Sequence, residues 1–352
     1  MCHSLNPVVM HRPSGRREDH PLRLLWKRLV QLVVVLLATT FLSYLMLSLL
    51  PGDTADVVCG LGCTQEQKDA VRREYGLDKP IPVRYGIWLG NAVRGDLGKS
   101  ASNQVSVAES LRQRMPVTLE LVLYAEIIAF AIGIPSGLIA AQRSGGVFDR
   151  LSTTFAFAAL SAPPFVLAPI LVLLFAVTIK IFPATGYEAL DPLTKLQEGG
   201  IGAMFGNLFA NLRSLFLPAL ILALAEAAVY LRLLRTDLIS TLQEDYIQMA
   251  KAKGLSPRRV LLRHAFRPST FSLVTVAGLN VGRLIGGTLI VEVLFALNGL
   301  GSFVVQSILK RDYIPVLGGL VVIVTGFVLV NFAVDMLYAV LDPRIRHARA
   351  IA

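Results

Sequence analysis

Charge is scarce in this sequence. Lysine, arginine, aspartate and glutamate together make up 16% of the 352 residues, against about 25% in an ordinary soluble domain. Cysteine is scarcer still: only Cys2, Cys59 and Cys63 occur, too few for a disulfide-built scaffold. The five histidines (His3, His11, His20, His264 and His347) all lie outside the long apolar stretches. No His-Glu-x-x-His pattern is present, which argues against a metalloprotease. No Gly-x-x-x-x-Gly-Lys-Ser/Thr loop is present, so this chain should not bind ATP by that route. A rhomboid-like serine protease would want a Gly-x-Ser-x-Gly-like site and an intramembrane histidine, and neither is found. No metal site is expected: Cys59 and Cys63 have no histidine nearby, and a structural zinc wants four ligands.

What the sequence has in abundance is apolar length. Hydrophobic residues make up 54%, and the charges fall in blocks between long apolar runs. A membrane span needs about 20 mostly apolar residues. Six segments meet that criterion, at roughly 29–50, 116–141, 152–181, 214–235, 271–297 and 315–341. Barrel strands would alternate in short segments instead. The expected class is therefore an all-α integral membrane protein of about six transmembrane helices.

Basic residues orient the bundle. Arg23, Lys27 and Arg28 precede the first span and keep its N-terminus in the cytoplasm. The apolar run is too long for a signal peptide and no small-x-small cleavage site follows, so it reads as a signal-anchor. The Arg16-Arg17 pair lacks the context of a twin-arginine signal. With six spans, the loops 142–151 and 236–270 and the C-terminus are cytoplasmic. Loop 236–270 carries Lys251, Lys253, Arg258, Arg259, Arg263 and Arg267, and the tail carries Arg344, Arg346 and Arg349. The net charge of +10 is thus largely topology. No basic patch interleaved with aromatics points to nucleic acid.

The long extracytoplasmic loop 51–115 should be folded. Pro51-Gly52-Asp53 ends the first span, and Thr64 and Gln67 form a capping box opening a helix. Val71, Tyr75 and Leu77 give that helix a weak apolar face, with Gly76 as its C-cap and Pro80 and Pro82 blocking continuation. Ile87, Trp88 and Leu89 suit a membrane interface, and 105–111 a further short helix. Cys59 and Cys63 lie in this loop, where an oxidising compartment permits a disulfide; two free thiols are the alternative.

Within the spans, Pro163, Pro164 and Pro169 should bend the third, as a static bend or as part of a moving pathway. Gly133 and Gly137 form a small-x-x-x-small pair, and Gly278, Gly282, Gly286 and Gly287 line much of the fifth span, for packing first and a subunit interface second. The ionisable residues in spans are Glu120, Glu126, Glu226, Arg283, Glu292 and Asp335. Such residues are costly in lipid and mark function by default. Glu120, Glu292 and Asp335 fall near span ends, where water reaches them. Arg283 lies well inside the fifth span, with Glu126 or Glu226 as its partner. A locking ion pair, a substrate or gating contact and a proton relay are the three readings.

The most informative stretch is 244–256, Glu-Asp-Tyr-Ile-Gln-Met-Ala-Lys-Ala-Lys-Gly-Leu-Ser. It reads as a short amphipathic helix closed by Gly254, with mixed charge and small Ala250 and Ala252 on one side. A membrane protein keeps such a helix in a basic loop to touch another protein. The segment resembles the coupling loop of importer-type ABC permeases. Further stretches agree in order and spacing: Leu50-Pro51-Gly52-Asp53, Tyr75-Gly76-Leu77-Asp78-Lys79-Pro80, Gly95-Asp96-Leu97-Gly98, Leu300-Gly301, Arg311-Asp312-Tyr313-Ile314-Pro315-Val316, Val334-Asp335-Met336-Leu337-Tyr338 and Asp342-Pro343-Arg344-Ile345-Arg346. From about residue 23 to 347 the chain closely resembles the first permease subunit of dipeptide and oligopeptide ABC importers.

The resemblance implies a type I ABC importer transmembrane domain in the cell's inner membrane. A cytoplasmic tail (1–28) would precede the permease domain (29–341), and a basic cytoplasmic tail (342–352) would follow it. The partners implied are a second homologous permease, two ATPase subunits and an extracytoplasmic substrate-binding protein, besides membrane lipid. The chain itself would hold no cofactor, since ATP and magnesium are bound by the ATPase subunits, and it would not be an enzyme on its own. Glu244, Asp245, Tyr246, Ala250, Ala252, Lys253, Gly254 and Leu255 would form the ATPase-coupling contact. Importers of nickel, glutathione and haem share the architecture, so the solute stays open, and a non-transporting receptor or scaffold is the reading from another class. The sequence departs from the family pattern at Arg267-Pro268 and Ser272, which could shift the fifth span by a turn, and in the extension before Arg23 and the Cys59/Cys63 pair.

Overall fold

Apolar runs of this length have few ways to satisfy their backbone in lipid, and the helix does it within one segment. The computed structural model describes residues 21–49, 64–74 and 78–341. Among the described residues there is no β-strand, only one isolated bridge between Lys99 and Ser106. The expectations for Pro51, Cys59 and Cys63, for Tyr75, Gly76 and Leu77, and for the basic tail at Arg344, Arg346 and Arg349 lie outside the described residues. So does the side chain of Asp335.

Among the described residues, five helices are long and apolar enough to cross a membrane, and a bent pair makes a sixth if it crosses as one. The first is α1 (Pro21–Ser48). Two short helices follow, α2 (Gln65–Glu74) and α3 (Ile81–Val93). The capping box at α2 forms as the sequence predicts: the Thr64 amide donates to Gln67 Oε1 at 3.0 Å, and the Gln67 amide to Thr64 Oγ1 at 3.4 Å. Pro80 and Pro82 do not merely stop a helix. They start α3, with Pro80 at its N-cap and Pro82 in its first turn, where no amide partner is needed. α3 lies along α1, with the Tyr85 hydroxyl 2.8 Å from Thr40 Oγ1 and its ring edge-on to Phe41.

The short helix expected over 105–111 is instead the start of α4 (Val107–Gln142). At 1.5 Å per residue α4 is about 54 Å long, far more than the roughly 30 Å of hydrocarbon. The surplus length matches its polar start, with Glu109, Arg112 and Arg114 ahead of the apolar run. The third segment, 152–181, is not one straight span. It breaks at Ala162 and Pro163 into α5 (Val147–Ser161) and α6 (Pro164–Val172), which continues through a π-helical turn (Leu173–Thr178), with a bend of 108°. Pro163 and Pro164 cannot donate the amides a continuous helix would need.

α7 (Pro192–Thr241) is the central helix, interrupted near its start at Gly200, whose φ is +69°. It packs along α4 at close range. A Cβ at position 133 would lie 2.9 Å from the Ala227 carbonyl oxygen, and one at 137 would lie 3.2 Å from that of Leu231. The Gly133/Gly137 pair thus serves packing within the chain. Beyond α7 come α8 (Asp245–Ala252), a turn (Pro257–Arg259), a π-helical segment (Val260–Ala265) and α9 (Phe266–Leu294). The helical path into the fifth span thus begins well before residue 271, and Pro268 falls in the first turn of α9. α10 (Leu300–Leu309) and α11 (Tyr313–Leu341) complete the bundle. Leu121, Ala125, Leu215, Ile221, Leu284 and Phe295 form its main core. Phe155, Phe165 and Ile170 on α5 and α6, and Leu173 on the π-helical turn, remain exposed, a surface suited to lipid.

Candidate functional site

Two places bring the singled-out residues together. The first is α8. Ile247 and Ala250 are buried against Ala141, Leu234, Leu238, Val260, Leu261 and Ala265 of the same chain, with Leu255 packed on the cluster's edge. Ala250 and Ala252 are therefore not on one side, as the sequence reading has it. Ala250 faces the chain's own core and Ala252 is exposed. Ala250 thus turns away from the exposed face of the helix. The outward face carries Glu244, Asp245, Tyr246, Gln248, Met249, Lys251, Ala252 and Lys253. Met249 is 64% exposed and Tyr246 47%. Burial and then the neighbouring Glu244 charge raise the Tyr246 phenol above its ordinary pKa, so it stays a neutral donor at physiological pH.

The helix ends in a Schellman motif. The Leu255 amide reaches the Ala250 carbonyl at 3.4 Å, and the Gly254 amide reaches that of Lys251 at 2.9 Å. Gly254 has φ +76°, and a Cβ there would meet nothing within 4 Å. Backbone conformation, not space within the chain, requires the glycine. Close by, Asp149 on α5 pairs with Arg235 on α7, with Nη2 to Oδ2 at 2.8 Å, and accepts the Gly145 amide at 2.8 Å. Arg235 sits next to Leu234, one turn before Leu238. The pair therefore ties the α4–α5 turn to the stretch of α7 that holds α8. Sequence reasoning missed it; an acid in the 142–151 loop, with a basic residue closing the apolar run 214–235, was the signal.

The second place is a polar cluster in the membrane-spanning core. Arg283 on α9 donates from Nη2 to Glu226 Oε1 on α7 at 2.7 Å. The burial is lopsided: the Glu226 side chain is 3% exposed and that of Arg283 62%. Glu126 is not the partner. It accepts from the Tyr230 hydroxyl at 2.6 Å, and Asn280 donates weakly to that same oxygen at 3.5 Å. The second carboxylate oxygens of Glu126 and Glu226 are buried without a hydrogen bond among the described residues.

Glu292 is not at a watery end. It is fully buried, accepting from Thr118 Oγ1 at 2.7 Å and from the Ser302 amide at 2.9 Å. Thr118 in turn accepts the Leu300 amide at 2.8 Å. Two side chains from α9 and α4 thus cap α10, satisfying amides that have no intrahelical partner. Glu120 is half-buried and accepts from Asn211 at 2.8 Å and from the Tyr187 hydroxyl at 3.1 Å. Burial, then the Glu120 charge, pushes the Tyr187 phenol up to about 12. Asp312 is buried and accepts from Ser100 Oγ at 2.6 Å and from the Ala101 and Ser102 amides at 3.1 Å each. It clasps the loop before α4 to the start of α11. No group of three or more potential metal ligands occurs among the described residues.

Comparison with known proteins accounts for this architecture. Residues 133–347 match the family described as binding-protein-dependent transport system inner membrane component, and residues 21–122 match the N-terminal component of such systems. A peptide transport system permease protein of Brucella abortus (strain 2308) is 38% identical over 324 residues, covering 92% of this chain and 99% of that one. The di/tripeptide transport system permease protein DppB of Pseudomonas aeruginosa (strain UCBPP-PA14) is 35% identical over 337 residues, 92% of this chain and 98% of its own. The dipeptide transport system permease protein DppB of Escherichia coli (strain K12) is 34% identical over 338 residues, 93% and 100% respectively. This chain belongs to the family of binding-protein-dependent transport system inner membrane components, and its multi-pass helical fold is the membrane domain of a type I ABC importer.

Proposed function

We propose that this chain is one of two permease subunits of an ATP-driven importer of small peptides. It lies in the cytoplasmic membrane with both termini inside. A binding protein delivers peptide to the outer mouth, and two separate ATPase subunits close on ATP beneath. α8 rides in a cleft of an ATPase and passes that closure to the bundle as a rigid-body movement. The observation that carries this reading is the two-faced build of α8. Its inner face is fixed to α7 and to the 260–265 segment through Ile247 and Ala250, while Tyr246, Met249 and Lys253 are left uncovered. A helix anchored in this way moves the spans when it is pushed. The names and near-full coverage of the relatives support peptide as the solute.

The test is reconstitution of the complete complex in liposomes with its binding protein. ATP-dependent uptake of a labelled dipeptide is expected, together with hydrolysis stimulated by the loaded binding protein. Met249→Glu and Lys253→Glu, on the outer face, are expected to lower both by at least about tenfold while assembly is kept. Full stimulated hydrolysis in both variants would remove α8 from the coupling role, and absence of dipeptide uptake by the unaltered complex would remove peptide as the solute.

A further inference from the structure

Arg283 stands roughly 16 Å from the nearer end of α9 at 1.5 Å per residue, yet its side chain is 62% exposed. Hydrocarbon is a strongly unfavourable neighbour for a charge at that depth. Lipid therefore does not cover this strip of α9. Leu279, Gly286, Gly287 and Ile290, at helical spacings from Arg283, share the exposed strip. A Cβ at 286 or 287 would meet nothing within 4 Å, so the strip is open one turn along from the guanidinium. Behind it Glu226 is buried and engages Nη2 alone; the other guanidinium N–H groups have no partner among the described residues.

An arginine held from behind by a buried carboxylate, with donors to spare, suits a second carboxylate in front. We propose that Arg283 is a carboxylate-binding station on a water-filled passage along this strip, positioned by Glu226. The solute it takes is the C-terminal carboxylate of the translocated peptide, an identity that rests on the peptide-import reading above. Glu226 offsets part of the arginine's charge, so the carboxylate is held weakly enough to be released, as conduction requires.

The test uses the assembled complex in membrane vesicles, with the three natural cysteines of this chain replaced by serine and a reporter thiol at Gly287→Cys. Gly286→Cys replaces it if the first variant fails to assemble. The thiol is treated with an anionic sulfonatoethyl and a cationic trimethylammonioethyl methanethiosulfonate. Both reagents should react. The ratio of anionic to cationic rate should exceed that in the Arg283→Gln background by roughly fivefold or more, since one unit charge acts on the two reagents in opposite senses. Millimolar dipeptide should slow the reaction, its C-terminal amide should not, and Arg283→Gln should abolish the protection. A thiol inert to both reagents would mean that the strip is sealed by protein, a second permease included, and would overturn the passage. A ratio unchanged by Arg283→Gln, or equal protection by dipeptide and amide, would overturn the carboxylate station. Dipeptide uptake, measured on the same vesicles with Arg283 intact, tests the peptide reading separately. Charge-selective labelling without uptake would keep an anion site and remove only the peptide.

Discussion

Gly254 carries its meaning in one dihedral angle. At φ +76° an ordinary side chain costs about 1–2 kcal/mol, and a β-branched one suffers most. Gly254→Val should therefore unwind the Schellman closure of α8 and lower both uptake and stimulated ATP hydrolysis. Gly254→Asn should retain most of both, since asparagine tolerates this conformation. Equal loss in the two variants would mean that a partner, not the backbone, excludes the side chain. Ala250 now carries the opposite expectation from an outward contact. Ala250→Leu forces bulk into the cluster around Leu234 and Leu261 and should cost about 1–3 kcal/mol through overpacking. The measurement is thermal unfolding of the detergent-solubilised complex, and an unchanged midpoint with lost ATPase stimulation would contradict the buried placement. The glycine was legible in the sequence because a charged helix followed by Gly-Leu is a local signal. The direction of Ala250 was not, because eight helical residues with Ile247, Ala250 and Ala252 leave the buried face to be decided by what α7 presents.

Elements are joined here by a few buried acids rather than by apolar contact alone. Glu292 and Thr118 cap α10 from two other helices, and Asp312 clasps the 100–102 segment to α11. Deleting one such group strands its partners, at about 1–3 kcal/mol for each buried donor or acceptor left unpaired. Glu292→Ala, which strands the Thr118 hydroxyl and the Ser302 amide, should cost about 2–6 kcal/mol by that reckoning. Thr118→Val, which also frees the Leu300 amide, should lower the unfolding midpoint too. The double variant should cost less than the sum of the two, because the groups share one network. Strict additivity would show that the three-helix junction does not act as a unit. The long spans were legible from apolar length. The surplus length of α4 and the break between α5 and α6 were not, because hydropathy does not register a helix continuing past its apolar run or two halves of one apolar run meeting at 108°. Glu292 was misplaced for a related reason. Position near a span end suggests water, but α10 folds back over that end and covers it.

At the scale of the whole molecule, geometry and charge answer different halves of one question. The bent pair α5–α6 either crosses the membrane or turns back within it, and the choice fixes which side every later segment occupies. If the pair turns back, the stretch 236–270, with Lys251, Lys253, Arg258, Arg259, Arg263 and Arg267, lies on the side opposite the N-terminus. Six basic residues flanking the spans on the outer side would run against the positive-inside rule. If the pair crosses, these residues share the cytoplasmic side with Arg23, Lys27 and Arg28, and 182–213, with Lys195 and Arg213 against Glu188, Asp191 and Glu198, lies outside. Charge thus favours the crossing, and α8 then reaches the side where ATP is available. Glu198 and Lys253 are both exposed, so single cysteines at these positions report the outcome directly. In intact cells an impermeant maleimide should modify Glu198→Cys and not Lys253→Cys, and after permeabilisation it should modify both. The reverse pattern would turn α5–α6 into a re-entrant hairpin, leave five spans and put α8 out of reach of any cytoplasmic ATPase, so that the coupling role would fall together with the topology.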